Sequence, residues 1–212
     1  MDAHAESTLK PRKQPRQARS QATVDAIFEA TIQVLLADGL QKLTTIRVAD
    51  RAGVSVGSLY QYYPNKQALL YSVLERHLVR IGDAVEQACL SSHGQPLADM
   101  VRAVVRAFVH AKTEHLEEGR ALYALAGELE TRELVHRAQQ RHRTLLADML
   151  ATARDAVLED LPTAAYMFST AMTGPILAVI EGKAPARLVR ALPHHIESLC
   201  LGYLQREAKI RP

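Results

Sequence analysis

The sequence predicts an all-α protein in which a small N-terminal helix-turn-helix domain precedes a larger helical bundle. Three observations support this fold class. Apolar residues recur at spacings of three and four along most of the chain, and no stretch shows the sustained alternation that is typical of a strand. Helix start and stop signals divide this pattern into segments of helical length. The chain has 212 residues, of which 48% are hydrophobic, so it can bury a sizeable core.

Residues 1–19 are polar, contain two prolines and show no periodicity, so we expect a disordered arm. A helix-turn-helix domain is predicted over 20–66. Its first helix begins near Gln21 and ends at Gly39, after Asp38. The apolar face of that helix consists of Val24, Ile27, Phe28, Thr31, Val34 and Leu35.

Two short helices complete this domain. Thr44 or Thr45 can cap the first of them, which runs through Arg51 and stops at Gly53. Ser55 can cap the next helix, which ends before a proline. A residue with a hydroxyl at each start and a glycine at the stop are the signals expected for short helices joined by a turn.

The remaining residues, 67–212, are predicted to form a larger helical domain. Asn65 caps its long first helix, which runs from Lys66 to about Leu90. Further helices are expected over 97–116, 119–128, 130–159, 162–182 and 186–208. Pro175 and Pro193 fall inside the last two, where each should kink its helix or mark a start, and Pro193 argues against an unbroken final helix.

The positive charge of the chain is concentrated near its start. Residues 1–66 contain nine Lys or Arg and six Asp or Glu, whereas the remainder contains 17 of each. A basic arm beside a compact domain suits a polyanionic partner, because each neutralised phosphate releases counterions. The alternative is a tail that only improves solubility.

Composition also limits the compartment. Cys89 and Cys200 are far apart in the sequence, which favours a reducing cytoplasm over a disulfide-bonded, secreted protein. The first residues lack the apolar stretch of a secretory signal. No apolar run approaches the roughly 18–20 residues of a membrane span. We therefore expect a cytoplasmic protein with no membrane partner.

The stretch from 43 to 66 carries the functional signal, and it reads LTTIRVADRAGVSVGSLYQYYPNK. A helix-turn-helix needs a small residue where its helices touch, a residue that tolerates positive φ in the turn, and an apolar residue that closes the gap. Ala49, Gly53 and Leu59 supply these at spacings of four and six. Any αα-hairpin with a glycine turn can imitate this spacing, so the exposed residues matter as well.

The second short helix opens with small side chains, which let its N-terminal end enter the major groove closely. Its free backbone N–H groups favour phosphate there. Tyr60, Gln61 and Tyr62 follow with hydrogen-bonding tips. These features favour a DNA-binding motif over an incidental hairpin.

Residues 20–75 resemble the N-terminal domain of the TetR (tetracycline-repressor-like) family of bacterial regulators. The resemblance lies in the Thr-Thr opening, the Ala-x-x-x-Gly-Val-Ser turn, Gly-Ser-Leu-Tyr, Tyr-Tyr-Pro-Asn-Lys and the following Leu-Leu. It covers about a quarter of the chain. It implies a homodimeric repressor of transcription that binds double-stranded operator DNA and is released by a small-molecule effector, here unknown. Residues 67–212 would then form the effector-binding and dimerisation domain.

The resemblance also implies a role for individual residues. Those that would hold phosphates are Thr44, Thr45, Tyr60, Tyr62 and Lys66. Those that would face bases or the flanking backbone are Arg47, Val56, Gly57, Ser58 and Gln61, and Ser55 would combine helix capping with a DNA contact. Since Val56 and Gly57 lack hydrogen-bonding side chains, direct readout is expected to rest on Arg47, Ser58 and Gln61. Tyr62 and Tyr63 depart from the usual His and Phe of the family.

Two apolar segments, 161–181 and 188–204, are candidates for the dimer interface, and the resemblance implies a four-helix bundle formed with a second copy. The alternative is that one or both lie inside the monomer core. An effector pocket is expected among the helices of 97–180. Its candidate lining residues are Phe108, His110, Tyr123, Met149, Tyr166, Met167, Phe168 and Met172.

We predict neither an enzyme nor a cofactor or metal site. His110 and Glu114 share a helix face but lack an evident third ligand, and Ser169 lies in no nucleophile elbow. Two rival functions remain. One is a DNA-binding regulator without an effector, and the other is an all-helical protein–protein adaptor or an enzyme whose N-terminal hairpin is incidental.

Overall fold

The computed structural model describes residues 18–126, 131–182 and 184–211. The arm predicted over 1–19 lies almost wholly outside this range. The described elements, in chain order, are α1 (Ala18–Asp38), a 3-10 turn (Leu40–Lys42), α2 (Thr45–Ala52), α3 (Val56–Tyr62), α4 (Lys66–Ser91), α5 (Leu97–Thr113), α6 (Leu116–Ala126), α7 (Arg132–Ala151), β1 (Ala156–Leu158), α8 (Leu161–Glu181), α9 (Ala186–Glu207) and β2 (Ala208–Ile210). The all-α fold class is confirmed.

These elements divide into two compact units. The first comprises the chain up to His77 together with Glu117–Arg132, and the second comprises Leu78–Leu116 together with the chain from Glu133 onward. This division differs from the predicted boundary after residue 66, because the first turns of α4 pack with the helix-turn-helix.

In the first unit, α1 and the start of α4 are joined around one arginine. The Arg76 guanidinium lies 4.3 Å from the centroid of the Phe28 ring and 2.6 Å from an Asp25 carboxylate oxygen. Phe28 is therefore only partly buried, whereas Ile27 and Leu35 beside it are buried. The arginine stacks over the face of the aromatic ring that the apolar pattern of α1 had predicted to be buried.

The second unit contains one continuous apolar core, to which α5, α8 and α9 contribute the most buried side chains. Val104 and Phe108 of α5 pack there with Phe168 of α8 and Ile196 of α9. These positions recur at the three- and four-residue spacing of a buried helix face.

The helix predicted over 130–159 is wrong at its C-terminal end. It stops at Ala151, and Ala156–Leu158 pairs antiparallel with Ala208–Ile210. Burial alternates along β1, with Val157 exposed between two buried neighbours, but three residues are too few for a period-two signal in the sequence. Asp155 also accepts a hydrogen bond from the backbone N–H of Leu97, 2.8 Å away, at the start of α5.

The expected break at Pro193 is also wrong, because α9 runs unbroken past it, and α8 likewise continues past Pro175. A proline inside a helix removes one backbone hydrogen bond. Burial of Leu192 and Ile196 on either side of Pro193 holds α9 against the core and offsets that loss.

The expectation that no apolar run approaches the length of a membrane span does not hold for α8. By length and composition, Leu161–Glu181 is sufficient to cross a membrane. Seven of its residues, including Phe168 and Ile176, are buried in the core of the second unit. Core helices of soluble proteins reach the same length and apolar composition.

Candidate DNA-binding interface

The helix-turn-helix is built as its spacing predicts. The Thr44 hydroxyl accepts a hydrogen bond from the backbone N–H of Arg47 and caps α2, which decides between the two candidate caps. Gly53 ends α2 at φ 67° and ψ 29°, the left-handed conformation that a residue without a Cβ adopts at least cost. Ala49 and Leu59 are fully buried where the two helices meet.

The start of α3 is fixed by its own side chains. The Ser55 hydroxyl accepts a hydrogen bond from the backbone N–H of Ser58, 3.0 Å away, which is the capping geometry. The hydroxyls of Ser55 and Ser58 are also 2.8 Å apart, within hydrogen-bond distance. Ser58, one of the predicted base-reading residues, is thus half-buried and oriented by the cap before any DNA is bound.

Two of the predicted phosphate contacts meet in space. The hydroxyls of Thr45 and Tyr60 are 3.1 Å apart, joining the start of α2 to α3. Thr45 is only 8% exposed, while Tyr60 is 41% exposed. Tyr60 is therefore accessible from solvent, and its contact with Thr45 holds its hydroxyl in place.

The other predicted phosphate contacts differ in exposure. Lys66 donates a hydrogen bond from its ammonium to the backbone carbonyl of Leu40, 2.9 Å away in the 3-10 turn. Tyr62 is buried, with its ring centroid 6.5 Å from that of Tyr63. Burial raises the pKa of Tyr63 to about 12, so its hydroxyl remains protonated. A phosphate contact by Tyr62 stays a prediction, and its burial favours a role in the core of the motif.

The remaining predicted DNA contacts lie around the N-terminal part of α3. Gly57 and Gln61 are exposed and Val56 is half-buried. Arg47 is exposed, and its guanidinium forms an ion pair with Asp38 at 2.8 Å. Reading of bases by Arg47 therefore requires that this surface ion pair opens or shifts.

Sequence reasoning missed one exposed side chain of this surface. Ile46, in the first turn of α2, is 59% exposed. From its residue type alone, an apolar residue at this position is expected in the core. The helical positions of Val48 and Ala49, which define the buried face of α2, were the signal that could have placed Ile46 outside that face.

The structure does not assemble the predicted effector residues into one pocket. Four of them, namely Phe108, Met149, Phe168 and Met172, are buried in the core of the second unit. Tyr123, Tyr166 and Met167 are exposed. His110 lines an open surface groove of about 450 Å³ with Val189 and Pro193 of α9.

The cysteines and histidines provide no reactive cluster within the described part of the chain. Burial raises the pKa of Cys89 and of Cys200 to about 12, which keeps both thiols protonated. His110 and Glu114 are 3.9 Å apart. No group of three or more His, Cys, Asp or Glu able to hold a metal ion occurs among the residues that the structure describes.

A glycine turn between two short capped helices, with polar side chains exposed at the start of the second, defines a helix-turn-helix protein of the DNA-binding class. The chain belongs to the TetR family of bacterial regulatory proteins. The family model "Tetracyclin repressor-like, C-terminal domain" matches residues 96–204, and "Bacterial regulatory proteins, tetR family" matches residues 27–73.

Similar proteins agree with this membership. The transcriptional repressor KstR of Mycolicibacterium smegmatis is 38% identical over 65 residues, which are 31% of this chain and 32% of the relative. The nucleoid occlusion factor SlmA of Actinobacillus pleuropneumoniae is 36% identical over 67 residues, 31% of each chain. The matched region thus spans about a third of these relatives. A transcriptional regulator from Rhodococcus sp. Rha1 shares the fold at a TM-score of 0.70 and 18% identity, covering 89% of this chain and 99% of that one.

Proposed function

We propose that this protein is a sequence-specific, cytoplasmic repressor of transcription that binds operator DNA as a homodimer and leaves it when a small-molecule effector binds. One observation carries the DNA-binding part. The glycine turn at Gly53 presents α3 with its N-terminus capped by Ser55, while Gln61 and Tyr60 are exposed on the same short helix. This arrangement suits insertion of a recognition helix into the major groove.

Within this proposal the exposed polar residues divide into two roles. Tyr60 and Lys66 contact phosphates, which fix position but carry no sequence information. Arg47, Ser58 and Gln61 contact base edges. A bidentate contact by arginine or glutamine is worth about 1–3 kcal/mol of discrimination against a wrong base.

The homodimer is proposed to form through α8 and α9. Both helices bury one face in the core of the second unit, yet Tyr166, Leu188 and Leu199 remain largely exposed. Leu188 and Leu199 line an apolar groove of about 310 Å³ together with Pro175. Pairing of two copies over this surface would bury these side chains. A dimer is also expected from the DNA side, because a single recognition helix reads only one half-site.

The first test selects genomic fragments that bind the purified chain, followed by titration of the selected operator. Gln61→Ala is expected to relax preference at particular bases, whereas Lys66→Ala weakens binding to all sequences and lowers the slope of log affinity against log salt by about 1. Gln87→Ala serves as the matched control, because Gln87 is an exposed glutamine of the second unit. Unchanged base preference in Gln61→Ala contradicts the readout role.

A DNA-binding regulator without an effector is the second candidate. It is favoured by the burial of Phe108, Met149 and Phe168, which fill the core where an effector pocket was expected. The relative SlmA, named a nucleoid occlusion factor, belongs to the matched proteins. Operator binding that no compound in a broad metabolite library alters would support this candidate over the effector-released repressor.

A further inference from the structure

The second unit has an open groove of about 450 Å³ on its surface, lined by α5 and α9. Its lining combines positively charged and apolar side chains. α5 contributes Arg106, Val109 and His110, and α9 contributes Val189, Arg190 and Pro193. The volume falls within the range of about 300–1,000 Å³ that is typical of small-molecule sites. We call this feature the α5–α9 groove.

The apolar and charged parts of the lining differ in exposure. Val109 is buried, and Val189 and Pro193 are half-buried, whereas Arg106 and Arg190 are exposed. The apolar residues therefore form the deeper part of the groove, and each of the two helices supplies one guanidinium group nearer to solvent. A ligand in the groove would contact apolar surface and two cations at once.

The two arginines have no acidic partner within the part of the chain that the structure describes. Neither Arg106 nor Arg190 forms a hydrogen bond or an ion pair there. The acidic residues nearest to them in the sequence are engaged by another arginine, because Arg102 lies 2.7 Å from an Asp99 carboxylate oxygen and 3.0 Å from one of Glu197. Both guanidinium groups of the groove are thus available to an anion.

An acidic side chain approaches the lining just after the end of α5. Glu114 lies 3.9 Å from the His110 imidazole. It follows Arg106 by eight residues, about 12 Å along a helix axis, which exceeds the Debye length of about 8 Å at physiological ionic strength. The carboxylate of Glu114 is therefore largely screened from the guanidinium group of Arg106.

We propose that the α5–α9 groove binds a small organic dicarboxylate with an apolar body. One carboxylate pairs with Arg106 and the other with Arg190, and the apolar body lies against Val189 and Pro193. A guanidinium group donates two parallel hydrogen bonds to a carboxylate, which favours this planar anion. A ligand with a single carboxylate leaves one of the two cations unpaired. This inference rests on the proposed effector response and assigns its ligand class and its site.

The groove is separate from the surface proposed for dimerisation, although α9 contributes to both. It shares no lining residue with the apolar groove that contains Pro175, Leu188 and Leu199. Pairing of two copies over that surface therefore leaves the dicarboxylate site outside the proposed contact. A ligand that joins α5 to α9 would favour one position of the helix that carries the dimer surface, and thereby one spacing of the recognition helices.

The first measurement is calorimetric titration of the full-length protein at about 20 mM salt, where surface charges are weakly screened. The probes are suberate, its monomethyl ester and its dimethyl ester, which share a carbon chain and carry two, one and no carboxylates. Suberate is expected to bind about fivefold more tightly than the monomethyl ester, since each exposed ion pair contributes modestly. Equal affinity of these two probes, or no suberate binding at millimolar concentration, overturns the proposal.

Malonate is the control for the apolar body of the ligand. It carries the same two carboxylates on a single methylene group and has little apolar surface to bury. It is expected to bind at least about tenfold more weakly than suberate. Equal affinity of malonate and suberate would mean that the arginines attract any dianion, and this result also overturns the proposal.

Variants then assign the preference to the two arginines. Arg106→Met and Arg190→Met are each expected to bring suberate and its monomethyl ester to within about twofold of each other, because one ion pair is lost. Arg206→Met is the matched control, since Arg206 is an exposed arginine of α9 that follows Arg190 by sixteen residues and lies outside the groove. It should leave the preference unchanged. Retention of the full preference in Arg106→Met or in Arg190→Met overturns the assignment.

Operator affinity, measured in the same samples with and without suberate, separates this site from the proposed function. Suberate preference without operator binding refutes the proposed function alone. Operator binding without suberate preference refutes the dicarboxylate site alone. Suberate binding that leaves operator affinity unchanged refutes the role of the groove in effector release.

Discussion

The two units of this protein treat buried polar groups differently. In the first unit, the Thr31 hydroxyl donates to the carbonyl of Ile27 at 2.7 Å, Thr45 meets Tyr60, and His77 lies 3.2 Å from a Glu118 carboxylate oxygen. In the second unit, Lys112 and His142 are partly buried, and burial lowers the pKa of both side chains. Hydrogen-bonded polar groups fix a geometry, whereas a desolvated ionisable group makes the stability of its unit depend on pH.

The largest effect on the free energy of unfolding is expected in the first unit, from Leu59→Ala. Leu59 is fully buried between α2 and α3, and its truncation leaves a cavity where the two helices meet. We expect a loss of about 2–5 kcal/mol in the free energy of unfolding, together with loss of operator binding, measured by urea denaturation and DNA titration.

Leu36→Ala is the control for this truncation, because Leu36 is a leucine of α1 that is 48% exposed. It should change the free energy of unfolding by no more than about 0.5 kcal/mol. Equal losses from the two leucines would mean that Leu59 does not close the motif.

The next effect concerns acid stability of the second unit. His142 binds its proton with a pKa of about 4 in the folded protein and near 6.5 when unfolded. The unfolded chain therefore binds more protons between these values, and stability is lost as the pH falls from 6.5 to 4. For this half-buried ring we expect a loss on the order of 2 kcal/mol, measured by urea denaturation at each pH.

His142→Gln provides the comparison, since glutamine keeps hydrogen-bonding groups but does not titrate. Its stability should depend less on pH than that of the wild type over this range. Identical pH profiles of the two proteins would show that the His142 imidazole is not desolvated by α4 and α5.

The same contrast explains how far the sequence could predict this molecule. The helix-turn-helix followed from local signals: Thr44, Gly53 and Ser55 act on the backbone of their immediate neighbours, so spacing alone placed them. The helical class of the bundle followed from periodicity in the same way.

What the sequence could not give depends on contacts between distant segments. β1 forms because Ala156 pairs with Ile210, and the pKa of His142 on α7 is lowered by burial and by Lys112 of α5. The effector residues Phe168 and Met149, which were chosen by residue type, lie buried in the core of the second unit, and their contact with an effector stays a prediction.

A smaller effect is expected at the glycine turn. No atom lies within 4 Å of a Cβ built on Gly53, so Gly53→Ala costs only the strain of positive φ, about 1 kcal/mol. Gly53→Asn should cost less, because asparagine tolerates the left-handed conformation. Thermal unfolding of both variants measures the difference. A larger loss for asparagine than for alanine would show that side-chain space, and not backbone conformation, selects glycine here.

Removal of the Ser55 cap should lower the free energy of unfolding by a similar amount. Alanine and glycine variants should differ in that loss. Ser55→Ala is expected to cost about 1 kcal/mol of unfolding free energy, because the backbone N–H of Ser58 loses its acceptor. Ser55→Gly restores access of water to that group and should cost only a few tenths. If alanine and glycine are equally tolerated, the hydrogen bond to Ser58 does not stabilise α3.

The smallest effect on stability, and the sharpest on function, is expected at Asp38. Its ion pair with Arg47 is exposed, so Asp38→Asn should change the free energy of unfolding by less than about 0.5 kcal/mol. The substitution also frees the guanidinium from its carboxylate partner. If Arg47 reads bases, operator affinity of Asp38→Asn should rise, and the rise should vanish in the double variant with Arg47→Ala. Titration of the four proteins with one operator measures this coupling. A rise that persists without Arg47 would assign the effect to loss of a negative charge near DNA, and would leave base reading in this motif to Gln61 and Ser58.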